Sequence, residues 1–130
     1  MGLSVHSLIL KNDGTLWNCG ANNYGQLGLG DGTNRNIFTK ITTNVDDIKS
    51  VYCGYGYTFI LKNDGTLWGC GDNQYGQLGL GDTTNRNTFT QITTNADDIK
   101  SVYCGGFHTL ILKNDGTLWS CGWNISVLIR

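Results

Sequence analysis

The sequence predicts an all-β chain of repeated antiparallel blades, each of four strands, and three observations carry that prediction. The segment Leu10-Lys11-Asn12-Asp13-Gly14-Thr15-Leu16-Trp17 returns at Leu61–Trp68 and again at Leu112–Trp119, an offset of 51 residues both times. Residues 11–61 and 62–112 agree at 40 of 51 positions, so one structural unit is repeated and needs a neighbour to cover its apolar face. The composition disfavours helix: no Glu, no Pro and two Ala (Ala21, Ala96), with Gly, Asn and Thr in excess. Turn signals then divide each period into four short strands, which is the plan of a β-propeller.

The elements follow in order along the one full period. Ile48–Cys53 alternates and ends at Gly54, the first strand. Tyr57–Leu61 is the second. Asn63-Asp64-Gly65 is a tight-turn triplet whose Gly tolerates positive φ, and it joins the second strand to Thr66–Cys70, the third. A Gly-rich excursion over Tyr75–Asp82 leads to Phe89–Thr93, the fourth. Asn95-Ala96-Asp97-Asp98 turns the chain into the next period. The expected organisation is one partial propeller: residues 1–47 form a blade without its first strand, 48–98 a complete blade, and 99–130 a blade with its last strand missing or altered.

Charge and targeting signals narrow the function classes. Net charge is −1 with both signs interspersed, so no basic cluster offers a phosphate-binding surface and no nucleic-acid partner is expected. No stretch approaches the ~20 apolar residues of a membrane-spanning helix. The N-terminal residues carry neither a basic region with a cleavage site nor a myristoylation pattern, which together with the cysteines leads to a cytoplasmic expectation. Cys19, Cys53, Cys70, Cys104 and Cys121 are odd in number and follow the repeat, alternately 34 and 17 apart. That spacing suits neither zinc nor a bridge; two strand spacings put the cysteines of one blade about 9–10 Å apart, beyond the Cα limit of a disulfide. Reduced thiols packed as small hydrophobes are expected.

The run Gly105-Gly106-Phe107-His108-Thr109 … Asp115-Gly116 … Gly122-Trp123-Asn124, completed in the earlier copies by Gly25-Gln26-Leu27-Gly28-Leu29-Gly30 and Gly76-Gln77-Leu78-Gly79-Leu80-Gly81, resembles the regulator of chromosome condensation repeat. The likeness extends from His6 to Asn124. It departs where the family has Trp before Gly and this chain has Cys19, Cys70 and Cys121, in lacking the Pro before the fourth strand, and in placing Tyr57 where the family has His. The resemblance implies seven-bladed rings and partners such as the small GTPase Ran, nucleosomes or bacterial enzymes bound by a related inhibitor. Nucleotide exchange is disfavoured because no wedge insertion interrupts the register. A plant photoreceptor of this family uses clustered tryptophans, but its Gly-Trp-Arg-His-Thr element is absent here.

The remaining candidates for chemistry read as structure. Trp17, Trp68 and Trp119 hold one register position on the third strand and are expected in the core. His6 and His108 sit at the family's structural histidine, with no nucleophile–base pattern around them. Gly28-Leu29-Gly30 precedes no helix, so it is a poor phosphate cradle. Asp31-Gly32-Thr33-Asn34 and Asp82-Thr83-Thr84-Asn85 lack the spaced carboxylates of a calcium loop. No cofactor, metal or enzymatic activity is expected. The expected function is a protein–protein interaction scaffold, with a purely structural, self-assembling fragment as the alternative.

Sites on such a scaffold lie where the copies differ and loops project. That singles out Tyr55, Tyr57, Phe107, His108, Asp72 and Trp123. Two open blade ends of about 400 Å² each equal the largest apolar patches monomers tolerate, so head-to-tail association with itself, as a dimer, is expected alongside an unidentified protein partner. The alternating tail Ile125, Val127, Ile129 is the candidate strand for that assembly.

Overall fold

Local turn chemistry sets the hairpins. In the computed structural model, which describes residues 5–123, Asp64 accepts from the Thr66 N–H at 2.9 Å and from its hydroxyl at 2.6 Å, while Gly65 takes φ +88°. Asp13 and Asp115 do the same in their copies. These hydrogen bonds to Thr hold all three carboxyls below the usual carboxylate range.

Ten strands follow among the described residues: β1 (His6–Leu10), β2 (Leu16–Gly20), β3 (Arg35–Ile41), β4 (Ile48–Cys53), β5 (Tyr57–Lys62), β6 (Leu67–Gly71), β7 (Arg86–Ile92), β8 (Ile99–Cys104), β9 (His108–Lys113) and β10 (Leu118–Gly122). They make three antiparallel sheets ordered β1-β2-β3, β4-β5-β6-β7 and β8-β9-β10. The all-β expectation holds, and the blades form an open row rather than a closed ring. The fourth strand begins at Arg86, three residues before the sequence placed it. A bulge between Gly69 and Gly71 shifts the register so that Gly71 pairs with Arg86. At Gly71, with φ +108°, an added Cβ would clash with the Gly56 carbonyl.

The long connection from third to fourth strand is held by one asparagine. Asn73 takes the Asn85 side-chain oxygen on its N–H, donates its amide to the Asp82 and Thr84 carbonyls, and accepts from the Leu78 N–H. Asn22 repeats this network in the first copy. Asp82, like Asp31, is held by an arginine four residues on: Arg86 Nη2 lies 2.7 Å from Asp82 and Arg35 Nη2 2.8 Å from Asp31. Both carboxyls are lowered, first by that arginine. The loops that loosely resembled calcium sites are thus committed to turn closure.

The apolar core sits at the two seams between sheets. Leu16, Ile41, Val45, Ile60, Cys70 and Phe89 fill the first, and Tyr57, Phe59, Leu61, Leu67, Leu78, Ile92, Ala96, Ile99 and Val102 the second. Buried hydroxyls bind across each seam at the same register: Thr58 Oγ1 donates to the Gln26 carbonyl and Thr109 Oγ1 to that of Gln77, each at 2.7 Å.

The tryptophans correct the sequence reading. Trp17 and Trp68 are half-buried and Trp119 is exposed, not core. Each indole N–H donates to the Thr hydroxyl two residues earlier, and a lysine lies over each ring (Lys11, Lys62 and Lys113, at 3.9, 4.2 and 4.5 Å). The aliphatic stem and ammonium of lysine cover the ring face, and Trp68 also packs against the first core cluster. Lys62 and Lys113 are themselves tied to Asp46 and Asp97, each at 2.9 Å.

Candidate interaction site

The loop after β8 and the segment after β10 meet the Gly-rich loop of the preceding copy, and aromatic side chains collect there. Tyr75 stacks on Trp123 with centroids 5.0 Å apart and planes at 14°. Phe107 sets its edge against both, 5.3 Å from each ring. Tyr55, from the loop between β4 and β5, meets Phe107 edge-on at 6.1 Å. Tyr55, Tyr75 and Trp123 stay exposed, with Phe107 half-buried between them. Such clusters pack favourably yet keep large faces available to a partner.

This patch exists once among the described residues. At the first seam the matching positions are Tyr24, Gly56 and Asp72, which offer one aromatic in place of three. Of the sequence candidates, Tyr55, Phe107 and Trp123 come together; Tyr75 was missed because it is the same as Tyr24 and selection by difference between copies passes over it.

Three candidates lie elsewhere. Tyr57 is fully buried, and its hydroxyl donates to the Gly105 and His108 carbonyls at 2.9 and 2.6 Å. It differs between copies because it repacks an interior seam, and burial raises its pKa well above the usual phenol value. Asp72 is also buried, accepting from the Gln74 N–H at 3.1 Å. His108 is exposed, its ring lying against Gly105, where an added Cβ would clash with it. Only His6 acts as a buried-type structural histidine, with Nε2 2.7 Å from Thr58 Oγ1. Ile125, Val127 and Ile129 lie outside the described residues.

All five cysteines are free thiols. Cys70 is fully buried, with Sγ 3.6 Å from the Gln26 carbonyl, and Cys121 repeats that contact with Gln77 at 3.4 Å. Burial pushes the Cys104 thiol up to about 12 and raises Cys121 as well, which makes both poor nucleophiles. No group of three or more metal-ligating side chains occurs among the described residues. Among the described residues no helix is long and apolar enough to cross a membrane.

Repeated blades, packed through the Gly-Gln-Leu-Gly loop and the seam hydroxyls, define the class of protein: a propeller built of short repeats. The chain belongs to the regulator of chromosome condensation (RCC1) repeat family, whose pattern matches residues 13–61 and 64–112. It is 36% identical over 121 residues to the ultraviolet-B receptor UVR8 of Arabidopsis thaliana, covering 92% of this chain and 28% of that protein. It is 35% identical over 122 residues to human protein RCC2, covering 92% of this chain and 23% of that one. Among solved structures, yeast RCC1 (Prp20) bound to Kap60 superposes with a TM-score of 0.76 at 28% identity, over 90% of this chain and 27% of that one. Human WBSCR16 superposes with a TM-score of 0.80 at 26% identity, over 91% and 31%. The chain therefore spans less than a third of these relatives.

Proposed function

We propose that this chain is a non-catalytic protein-interaction scaffold that pairs with a second copy through its open blade faces. The aromatic patch is the surface it offers to a further protein partner. One observation carries the reading: positions buried in the middle of the row are exposed at its ends. Phe89 of β7 is 1% exposed, whereas Phe38, the same residue of β3, is 42% exposed. Leu16 of β2 is 0% exposed, whereas Leu118 of β10 is 62% exposed. Phe89 and Leu16 share one core cluster across the first seam. Phe38 of one copy and Leu118 of another are the same pair, so a head-to-tail contact would repeat a seam the chain already builds. Such a contact either closes into a ring or continues as a filament. The closed ring of two copies supplies five to six blades, within the 4–8 of propellers.

The likeness of the RCC1 repeat to proteins with named partners supports the interaction role. Prp20 was crystallised with Kap60, and a second Prp20p structure is described with binding to Gsp1p and histones. Those partners belong to far longer chains, and the cytoplasmic placement and the absence of a nucleic-acid partner rest on composition alone. Sedimentation of wild type against Phe38→Asp and Leu118→Asp tests the proposal. Wild type should run as a dimer and both variants as folded monomers. A monomeric wild type, or dimers that survive both changes, would overturn it.

A further inference from the structure

The second seam contains a cavity of about 510 Å³ opening beside β10. Its lining includes Leu67, Gly79, Ile92, Ala96 and Cys121. Counted back by the 51-residue repeat, these are Leu16, Gly28, Ile41, Val45 and Cys70. Leu16, Ile41, Val45 and Cys70 form the cluster that holds Phe89 at the first seam, and Gly28 is where an added Cβ would lie 2.6 Å from the Phe89 ring. The cavity is thus the seat of a fourth-strand phenylalanine, repeated at a blade whose described strands are three.

The backbone fittings repeat as well. At the first seam the Gly30 N–H donates to the Asn87 carbonyl at 2.9 Å, and the Asn44 side-chain amide donates to the Phe89 carbonyl at 3.0 Å. Gly81 and Asn95 are the matching donors, and both line the cavity. Among the described residues β10 pairs only with β9, so its other edge offers a ladder to an incoming strand.

From this register we infer that the edge of β10 is an acceptor site for an unpaired, extended segment of another polypeptide, with a phenylalanine that enters the cavity. Gly81 and Asn95 would bind its backbone, and β10 would pair with it. The β3 strand of a second copy does not fit. Its inner edge is already bonded to β2, and approach by the outer edge in antiparallel sense turns Phe38 away from the seat. The seat is distinct from the outer blade faces proposed to join two copies.

A labelled peptide with the sequence of residues 82–94, titrated into the full chain, tests the inference. Saturable binding is expected, weakened at least tenfold when the peptide's phenylalanine becomes alanine. Backbone amides of Leu118–Gly122 should exchange more slowly with deuterium when the peptide is bound. Ala96→Phe, which fills the cavity, should abolish binding; if that variant fails to fold, the exchange data decide. No binding, equal binding of a scrambled peptide, or unchanged exchange at β10 overturns the inference. So does binding that appears only after deletion of residues 124–130, since the chain's own tail is then the occupant. Amide protection at β10 that grows with protein concentration in the Phe38→Asp variant, which lacks the proposed dimer contact, would assign the edge to a second copy and also overturn it.

Discussion

The two seams are built from largely the same residues 51 positions apart, with Ala96 for Val45 and Tyr57 for His6, yet the first is finished and the second is not. At the first, Phe89 lies over Gly28 and closes the cluster. At the second, a Cβ added at Gly79 would lie 3.3 Å from Cys121 Sγ, and among the described residues no ring comes within 4 Å of it. The second seam is braced instead by the Tyr57 hydroxyl and covered by Tyr55, Tyr75, Phe107 and Trp123. Near-identical repeats therefore give different surfaces, through what the neighbouring blade supplies and through the few positions that differ, such as Gly56 against Phe107 and Asp72 against Trp123.

The largest expected effect separates two phenylalanines. Phe89→Ala should cost about 3–5 kcal/mol in urea melts, the usual result of emptying a packed aromatic site. Phe38→Ala should cost under about 1 kcal/mol in dilute solution, because no blade covers it. If both cost the same in dilute protein, the outer face is not open and the comparison fails.

A matched pair of glycines gives the next effect. Gly28 and Gly79 have φ of +71° and +72°, so alanine strains both backbones alike. Gly28→Ala also meets the Phe89 ring and should lose about 1–3 kcal/mol more than Gly79→Ala. Equal losses by thermal melting would mean that the second seat is already occupied.

Alkaline titration should weaken both seams, since burial also raises the Cys70 thiol at the first, but a buried phenol titrates at the second alone. Tyr57 stands where the first copy has His6, and burial raises the folded-state pKa of Tyr57, Cys104 and Cys121. A folded pKa above the unfolded value gives stability that is fully present below the unfolded pKa and lost as pH rises through the folded one. Stability should thus decline above about pH 9, where free thiols and then phenols ionise. Tyr57→Phe should cost about 1–2 kcal/mol at neutral pH and flatten the part of that decline due to the phenol. A slope unchanged by the substitution would place the titration elsewhere.

The smallest effect is a repair. In the first copy the Gln26 amide donates to Asn23 at 3.3 Å, whereas the buried Gln77 amide nitrogen has no partner. Gln74, at the position of Asn23, turns to Asp72 instead. Asp72→Ala with Gln74→Asn, which copies the first repeat, should stabilise by about 0.5–1 kcal/mol in urea melts. A loss of stability would show that the Asp72–Gln74 pair is worth more than the orphaned amide costs.

Legibility in the sequence followed the range of the forces. The Asn-Asp-Gly turns were readable because their hydrogen bonds span two residues. The start of β7 was not, since pairing of Arg86 with Gly71 across a bulge decides it. Alternation on β6 told which way Trp68 points but not that Lys62 would cover it, so Trp68→Ala should cost less than a core tryptophan. Differences between copies located Tyr55, Phe107 and Trp123, but the same signal also selected Tyr57 and Asp72, which vary inside the seam. Nothing in the order of residues marked Tyr75, whose importance comes from the rings that reach it.

The most direct test of the account is the mass in solution by light scattering at tens of micromolar. Open faces bearing Phe38 and Leu118 predict about twice the 14.2 kDa of one chain. A mass near 14.2 kDa would contradict it and leave the blade ends unpaired.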